Sequence, residues 1–216
     1  MNWKKRVFES FKLYAITDLN SSGQGELKKV KEAYRGGADI IQLRSKALSD
    51  RDLLVLGFKM KELANRYRKL FFVNDRLDLA LALGADGLHL GQDDMPLDEA
   101  RRLCRKTGTH LWIGKSTHSI AQAVRAVKEG ADYIGVGPVF QTPTKPGYRP
   151  VGLELVRKVR EIINIPFVAI GGIQQNNINE VLESGATRIA VVRAVFHARN
   201  TYVATKKLRH QIEKRS

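Results

Sequence analysis

Eight short apolar segments alternate with longer segments of helical period, and this alternation restricts the fold more than any other feature. Continuous apolar runs of this length are typical of parallel strands that are covered by helices. Eight strand–helix pairs within 216 residues favour a closed barrel over an open sheet. The eight runs are Leu13–Asp18, Asp39–Arg44, Leu70–Asn74, Gly87–Leu90, Leu111–Ser116, Tyr133–Val139, Pro166–Gly172 and Arg188–Val192. We therefore predict an α/β fold, a single (β/α)8 TIM barrel that spans residues 1–216.

A repeated tripeptide marks the ends of alternate units. Glycine, alanine and then aspartate or threonine precede the second, fourth, sixth and eighth runs, at residues 37–39, 84–86, 130–132 and 185–187. A glycine can end a helix in the left-handed conformation that other residues avoid, so each tripeptide predicts a tight helix-to-strand turn. Helical periodicity is clearest over Leu53–Tyr67 and Ile120–Glu129, and a last helix from about Val195 to Lys214 is predicted to close the barrel.

The formal net charge of +15 raises the question of a nucleic-acid partner. The basic residues recur at helical spacing, as in Lys28, Lys29, Lys31 and Arg35, which indicates the solvated outer faces of helices. No basic stripe is interleaved with aromatic residues, so we expect small anionic substrates rather than nucleic acid.

Other classes of protein are disfavoured by local composition. No apolar run approaches the ~18 residues of a membrane span, and Met1–Ser10 has no apolar signal region. We therefore expect a cytoplasmic protein with no membrane partner. The single cysteine, Cys104, excludes an intramolecular disulfide and a cysteine-based metal cluster. A homo-oligomer is left open.

Basic side chains follow the second predicted strand. Gln42, Arg44 and Lys46 alternate along it and so point to one side. In a barrel of this type the chemistry lies where strands end. Two cations at the barrel mouth predict a clamp for phosphate charge. The alternative is a buried ion pair between a cation and a neighbouring carboxylate.

Acidic residues follow the third and fourth predicted strands. Asp75 and Asp94 come after adjacent strands and can therefore converge. Carboxylates together with diphosphate oxygens are a usual environment of Mg²⁺. Both residues could instead cap the helices that follow them, with Pro96 in the first turn of the second helix. For His89 a structural, hydrogen-bonding role is predicted.

Hydroxyl and imidazole groups follow the fifth predicted strand. Ser116 could donate a hydrogen bond to a diphosphate oxygen, or it could cap the helix that starts near His118. His118 is a candidate acid or base, although a supporting role is also open.

The last three strand ends predict anion sites. After the sixth strand, a long loop that runs to about Pro150 carries two threonines and a lysine between prolines, at residues 142–146. Gly171 and Gly172 would let backbone N–H groups approach a phosphate. Val192 and Arg193 follow the eighth strand, and barrels of this kind commonly bind phosphate after strands seven and eight.

Taken in order, these motifs resemble the thiamine phosphate synthase family over nearly the whole chain. The resemblance begins with the sequence Tyr-Ala-Ile-Thr-Asp at residues 14–18 and reaches the last strand. The other matching pieces are Gln42-x-Arg44-x-Lys46, Asn74-Asp75, His89-Leu90-Gly91-Gln92-Asp93-Asp94, Ser116, Thr142-x-Thr144-Lys145 and Ile170-Gly171-Gly172-Ile173.

The resemblance implies a transferase of thiamine biosynthesis. Such an enzyme condenses 4-amino-5-hydroxymethyl-2-methylpyrimidine diphosphate with 4-methyl-5-(2-hydroxyethyl)thiazole phosphate, and it releases diphosphate. Asp75 and Asp94 match the ligands of the cofactor Mg²⁺, and Arg44, Lys46, Ser116 and Lys145 are the candidate catalytic residues. The implied substrate-binding residues are Gln42, Leu43, Arg44, Ser45, Lys46, Asn74, Ser116, Thr142, Pro143, Thr144, Lys145, Gly172, Val192 and Arg193.

One position departs from the family pattern, because Arg193 stands where the family usually has a serine. A guanidinium can bind a phosphate strongly, but it can also crowd the site or pair with an acid. Two alternatives therefore stay open. One is a related thiazole tautomerase that would use His118 without Mg²⁺, and the other is a non-catalytic ligand-binding or regulatory barrel.

Overall fold

The eight strands form a closed parallel barrel in which each strand pairs with its neighbours in chain order and β8 pairs with β1. The structure is a computed structural model that describes residues 3–19, 24–144, 147 and 149–215. The predicted (β/α)8 barrel is thereby confirmed. The strands are β1 (Leu13–Ile16), β2 (Ile40–Leu43), β3 (Leu70–Asn74), β4 (Gly87–Leu90), β5 (Trp112–Thr117), β6 (Tyr133–Val136), β7 (Phe167–Ile170) and β8 (Ile189–Val191).

A helix follows every strand, and the helices differ from the prediction at both ends of the chain. The helix expected from Val195 to Lys214 is two helices, because Asn200 begins a new one by accepting the Val203 N–H at 3.0 Å. The helices are α1 (Trp3–Ser10), α2 (Gln24–Arg35), α3 (Asp50–Tyr67), α4 (Leu77–Ala82), α5 (Leu97–Lys106), α6 (Ile120–Lys128), α7 (Gly152–Ile162), α8 (Ile178–Glu183), α9 (Arg193–Phe196) and α10 (Thr201–Glu213).

Helix α1 was not predicted, and it closes the amino-terminal end of the barrel. Its Phe8 stacks on Trp112 of β5 with ring centroids 4.6 Å apart, and it also contacts Phe72 and Tyr133. The segment is mostly polar and basic, so its composition does not indicate that Phe8 is buried at the end of the barrel. The other end of the barrel is left as the end where a ligand can enter.

Alternation along the strands divides the apolar residues into two clusters. Side chains that point into the barrel, such as Ile40, Phe72 and Val168, form a small inner cluster. Their neighbours in sequence, such as Ile41 and Phe71, pack against the helices in a larger outer cluster. Since both faces of each strand are covered, the strands read as continuous apolar runs in the sequence.

The repeated Gly-Ala-Asp tripeptide stabilises the amino-terminal end. Gly84 has a φ of 56°, and the N–H of Ala85 donates back into α4 at Ala80, which ends the helix as predicted. The carboxylate of Asp86 then accepts the N–H of Phe71 from the neighbouring strand at 3.0 Å. Asp39 and Asp132 accept strand N–H groups in the same manner. The aspartates of the repeat are therefore structural and lie away from the cavity.

Within the described ranges, none of the helices combines the length and the apolar character that crossing a bilayer requires.

Candidate active site

A cavity of about 300 Å³ opens at the carboxyl ends of the strands. Residues from all eight strand ends line it, including Tyr14 of β1, His89 of β4 and His118 after β5. The size is at the lower end of the usual range for small-molecule sites. The predicted site residues that line this cavity are Gln42, Arg44, Asn74, Ser116, Thr142, Pro143, Thr144, Gly172, Val192 and Arg193.

Other predicted site residues lie elsewhere. Leu43 packs in the outer cluster between strands and helices, so its side chain faces away from the cavity. The Ser45 hydroxyl donates to the Leu19 carbonyl and accepts two backbone N–H groups, which closes the turn after β2. Lys46 is exposed and is not among the residues that line the cavity. Lys145 lies outside the described residues.

Arg44 forms the ion pair that the sequence left open as an alternative, and it also lines the cavity, while its role as a phosphate clamp stays a prediction. It lines the cavity, although only 8% of the residue is exposed, and its guanidinium donates to Asp18 with a nitrogen–oxygen distance of 3.1 Å. The second oxygen of Asp18 lies 3.5 Å from Nε2 of His197. The ion pair holds the guanidinium at the cavity wall, where an anionic ligand can compete for it or share it.

The two predicted metal ligands are held by backbone contacts rather than by helix caps. Asp75 has a φ of 59°, and its N–H donates to the carbonyl oxygen of His89 at 2.8 Å. A carboxylate oxygen of Asp94 accepts the N–H of Gly91 at 2.5 Å. The helices that follow, α4 and α5, have Arg76 and Pro96 as their N-cap residues, and neither makes a side-chain cap hydrogen bond. The capping alternative is therefore not observed.

The donor set at these loops suits Mg²⁺. Two carboxylates follow adjacent strands, and Mg²⁺ commonly takes one or two carboxylates and completes its shell with phosphate oxygens and water. Across the described ranges, no three or more His, Cys, Asp or Glu side chains form a group that could hold a metal ion. Asp75 and Asp94 supply the type of oxygen donor that Mg²⁺ takes, but neither is among the residues that line the cavity, and Asp75 lines a separate pocket. A magnesium site at these two residues stays a prediction.

A chain of five hydrogen-bonded side chains crosses the floor of the cavity. Gln42 donates to the Tyr14 hydroxyl at 2.6 Å, and the Tyr14 and Tyr133 hydroxyls are 3.1 Å apart. Tyr133 lies 2.9 Å from Nδ1 of His89, whose Nε2 is 2.9 Å from the Ser116 hydroxyl. Burial raises the pKa of both tyrosines, so both keep their protons at neutral pH.

Sequence reasoning missed Tyr14 and Tyr133. Both lie in apolar strands, and the sequence pattern assigns neither of them to the site, although Tyr14 begins the motif at residues 14–18. A signal was available, because a buried tyrosine hydroxyl normally finds a hydrogen-bond partner. The structural role predicted for His89 is consistent with its two ring contacts, although the residue also lines the cavity.

The helix after β5 is capped by Ser119 and not by Ser116. The Ser119 hydroxyl accepts the Gln122 N–H at 3.2 Å, so the Ser116 hydroxyl is available to the cavity. His118 also lines the cavity, with Nδ1 in contact with the carbonyl oxygen of Gly137.

The paired glycines after β7 allow two loops to pack closely. Gly171 and Gly172 have φ values of 103° and 66°. A Cβ atom on Gly171 would lie 2.4 Å from Cα of Pro138, and one on Gly172 would lie 2.6 Å from the carbonyl oxygen of Gln141. Only glycine therefore fits at both positions, and this packing fixes the loop that carries Thr142 and Thr144 beside the cavity.

Comparison with known proteins identifies close relatives. The family model for thiamine monophosphate synthase matches residues 13–195. A thiamine-phosphate synthase of Pyrococcus furiosus is 45% identical over 202 residues, which are 94% of this chain and 95% of that protein. A thiamine-phosphate synthase of Gloeobacter violaceus is 50% identical over 188 residues, which are 87% of this chain. The match spans only about half (53%) of the length of that relative.

The fold comparison agrees. A solved thiamine phosphate pyrophosphorylase from Pyrococcus furiosus has a TM-score of 0.86 and 42% sequence identity, and the match covers 95% of this chain and 96% of that one. A 3-hexulose-6-phosphate synthase has a TM-score of 0.67 at 21% identity over 93% of this chain and 99% of that one, which shows the shared barrel alone.

Proposed function

The chain belongs to the thiamine monophosphate synthase family of enzymes, and from that premise we propose that it joins 4-amino-5-hydroxymethyl-2-methylpyrimidine diphosphate to 4-methyl-5-(2-hydroxyethyl)thiazole phosphate. The products are thiamine phosphate and diphosphate. We also propose that it works in the cytoplasm, as expected of an enzyme that makes a coenzyme from small molecules.

One observation carries the proposal: residues from two predicted anion sites line the same cavity. Arg44 and Ser116 belong to the expected diphosphate end, and Thr144 and Arg193 belong to the expected thiazole phosphate end. Two anionic substrates can therefore be held in one cavity with their reacting carbon and nitrogen close together.

The reaction balances without a covalent intermediate on the protein. The bond between the pyrimidinylmethyl carbon and its diphosphate oxygen breaks, and the electron pair leaves with diphosphate. The ring amino group stabilises the resulting cation, and the thiazole nitrogen donates its lone pair to that carbon. No proton needs to move, so the protein acts by orientation and by charge stabilisation.

Each group has a defined task in this mechanism. Arg44, held by Asp18, and Ser116 bind oxygens of the leaving diphosphate, and Lys46 and Lys145 are proposed to add positive charge there. Asp75 and Asp94 would hold Mg²⁺, which when bound supplies further positive charge to the diphosphate. Thr142, Thr144, Gly172, Val192 and Arg193 would bind the thiazole phosphate, and Gln42 and Asn74 would bind the pyrimidine diphosphate.

The decisive experiment mixes the purified chain with both substrates and Mg²⁺ and measures diphosphate and thiamine phosphate. Equal amounts of the two products, lost on chelation of Mg²⁺, would support the proposal. Isomerisation of a thiazole carboxylate phosphate without Mg²⁺ would favour the tautomerase alternative. Binding of both substrates without turnover would favour a ligand-binding barrel.

A further inference from the structure

We propose that Thr17 and Asp18, the last two residues of the motif at residues 14–18, are positioning residues for Arg44. Thr17 fixes the backbone of Arg44, and Asp18 fixes its guanidinium, before any ligand enters the cavity. Neither Thr17 nor Asp18 is among the predicted site residues. The effect on the reaction rests on the proposed function, whereas the contacts lie within the chain and can be tested without a substrate.

One hydroxyl holds the backbone of Arg44 on both sides. Oγ1 of Thr17 accepts the Arg44 N–H at 2.8 Å and donates to the Arg44 carbonyl oxygen at 2.9 Å. Thr17 is fully buried, so water does not compete for either bond. The regular pairing of β1 with β2 ends at Ile16 and Gln42. The threonine hydroxyl therefore continues the attachment of one strand to the other beyond the last ladder pair.

The turn after Arg44 is attached to the same segment. Leu19 and Ser45 form an isolated parallel bridge, and the Ser45 hydroxyl donates to the Leu19 carbonyl oxygen at 2.9 Å. The backbone is thus fixed at Arg44 and directly after it. Only the side-chain torsions of Arg44 are left to be set.

Asp18 restricts those torsions. Its Oδ1 accepts from Nη1 of Arg44 at 3.1 Å, and within the described ranges this is the one hydrogen bond of the guanidinium. A guanidinium carries several N–H donors in a planar fork, so the other donors stay available for an anion. The ion pair therefore fixes the direction of the fork and leaves most of its donors for a ligand.

The location of Asp18 suits a residue that acts through Arg44. Arg44 lines the cavity, whereas Asp18 is not among the lining residues, so the carboxylate does not meet an anionic ligand directly. The side chains of Arg44 and Asp18 are 9% and 24% exposed, and water and salt screen such a pair less than a surface pair. A guanidinium ordered in advance loses less conformational entropy when it binds diphosphate. It also stays where charge develops on the leaving group.

The first test measures the order of the guanidinium without a substrate. The chain would be labelled with ¹⁵N-arginine, and the Nε–H signal of Arg44 would be assigned by comparison with Arg44→Ala. We expect an order parameter of about 0.8 in the wild type and below about 0.6 in Asp18→Ala. An unchanged order parameter in a folded Asp18→Ala chain would overturn the inference.

The second test asks whether Asp18 affects the reaction through Arg44. Asp18→Ala should lower kcat by about tenfold, because a displaced guanidinium stabilises the departing diphosphate poorly, while KM for the thiazole phosphate stays within about twofold. In the Arg44→Ala background the same substitution should change kcat by less than about twofold, since the group that Asp18 positions is gone. An equal loss of kcat in both backgrounds would contradict the inference.

Thr17 provides a second variant if Asp18→Ala does not fold. Thr17→Val keeps the shape of the side chain but removes the hydroxyl, so the order parameter of Arg44 and kcat should both fall. Thr17→Ser keeps the hydroxyl and should leave both near the wild-type values. Wild-type behaviour of a folded Thr17→Val chain would show that the hydroxyl does not position Arg44.

Asp132→Ala is the matched control. Asp132 also pairs with an arginine, Arg101, and its side chain is 29% exposed, close to the 24% of Asp18. Because Asp132 lies at the amino-terminal end of the barrel, its loss should leave the order parameter of Arg44 and kcat unchanged. Equal losses in Asp132→Ala and Asp18→Ala would indicate general destabilisation and would sink the inference. If the wild-type chain makes no thiamine phosphate, the proposed function fails, and the order parameter of Arg44 alone decides the inference.

Discussion

The backbone N–H of Asp75 donates to the carbonyl oxygen of His89 at 2.8 Å and ties the loop after β3 to the end of β4. The contact requires Asp75 to adopt a φ of 59°, a conformation that aspartate and asparagine tolerate better than alanine does. A proposed magnesium ligand is thereby anchored to the strand that leads to the other, Asp94. Because asparagine also tolerates this φ, Asp75→Asn is the substitution that tests the metal site without disturbing the loop.

Asp75→Asn should keep the loop and remove the charge. We expect Mg²⁺-dependent turnover to fall by about 10²-fold or more, because a metal-bound diphosphate loses a main source of charge stabilisation. Turnover would be measured as diphosphate release over a range of Mg²⁺ concentrations. Asp78→Asn is the control, since Asp78 is exposed and pairs with Arg76. Wild-type turnover in both Asp75→Asn and Asp94→Asn would refute the metal assignment.

Arg193→Ser tests which end of the cavity binds the thiazole phosphate. A charge-assisted hydrogen bond to phosphate contributes roughly 1.5–3 kcal/mol, so we expect affinity for the thiazole phosphate to fall by about tenfold or more. Affinity for the pyrimidine diphosphate should stay the same. Both affinities would be measured by calorimetry. A change in the diphosphate affinity alone would mean that the two ends of the cavity are assigned the wrong way round.

Asp86→Ala should destabilise the barrel without affecting the reaction. The carboxylate is 2% exposed, accepts the Phe71 N–H and lies 2.6 Å from the Lys61 ammonium. Removing one partner of a buried pair costs about 3–5 kcal/mol, which for this chain length lowers Tm by roughly 6–20 °C. Calorimetry would measure Tm, and kcat should be unchanged because Asp86 lies at the opposite end from the cavity.

Glu154→Ala is the control for that prediction. Its side chain is 64% exposed and pairs with two other exposed groups, Arg157 and Lys158, so Tm should move by no more than about 2 °C. An equal loss of Tm in both variants would show that burial of Asp86 is not the cause.

Alkaline pH should destabilise the chain through its buried tyrosines. Burial raises the pKa of Tyr14, Tyr34 and Tyr133, so above about pH 10 the unfolded chain releases phenolic protons that the folded chain keeps. The folded state then binds more protons, and the free energy of unfolding falls as pH rises, by up to about 1.4 kcal/mol per pH unit for each tyrosine.

The contribution of one tyrosine can be isolated. In Tyr34→Phe the fall in the free energy of unfolding between pH 10 and pH 11 should be smaller by about 1 kcal/mol than in the wild type, because a phenol with an unfolded pKa of about 10 is already half ionised at pH 10. Urea unfolding at each pH would measure it. An identical pH dependence in the two proteins would show that the Tyr34 phenol ionises as readily in the folded state as in the unfolded state.

Local pattern predicted the strand positions well but not the helix at the amino terminus. Strands β3 and β4 have the predicted bounds, since apolar runs covered on both faces are visible in sequence. Helix α1 packs on the barrel through Phe8, which stacks on Trp112. Because Trp112 is far along the chain, the local sequence does not indicate this contact. The last helix was predicted as one element because the cap at Asn200 was not recognised within an otherwise helical segment.

The candidate site was predicted in part. Side chains on the inner face of a strand end, such as Gln42, Asn74 and Ser116, do line the cavity, because alternation assigns them to one face. Lys46 lies beyond the end of β2, where alternation no longer applies, and it is exposed. The ion pair of Arg44 with Asp18 joins two strand ends, which sequence alone could only offer as an alternative.

The sequence by itself determined the barrel, the end at which the cavity opens and most of the polar groups that line it, because periodicity and strand-end position are local properties. Only the tertiary structure decided which polar groups meet. Tyr14 and Tyr133 are 119 residues apart in sequence, and their hydroxyls are within hydrogen-bond distance only because closing the barrel brings β1 and β6 across from each other. Contacts between non-adjacent strands depend on this closure, and no local pattern encodes them.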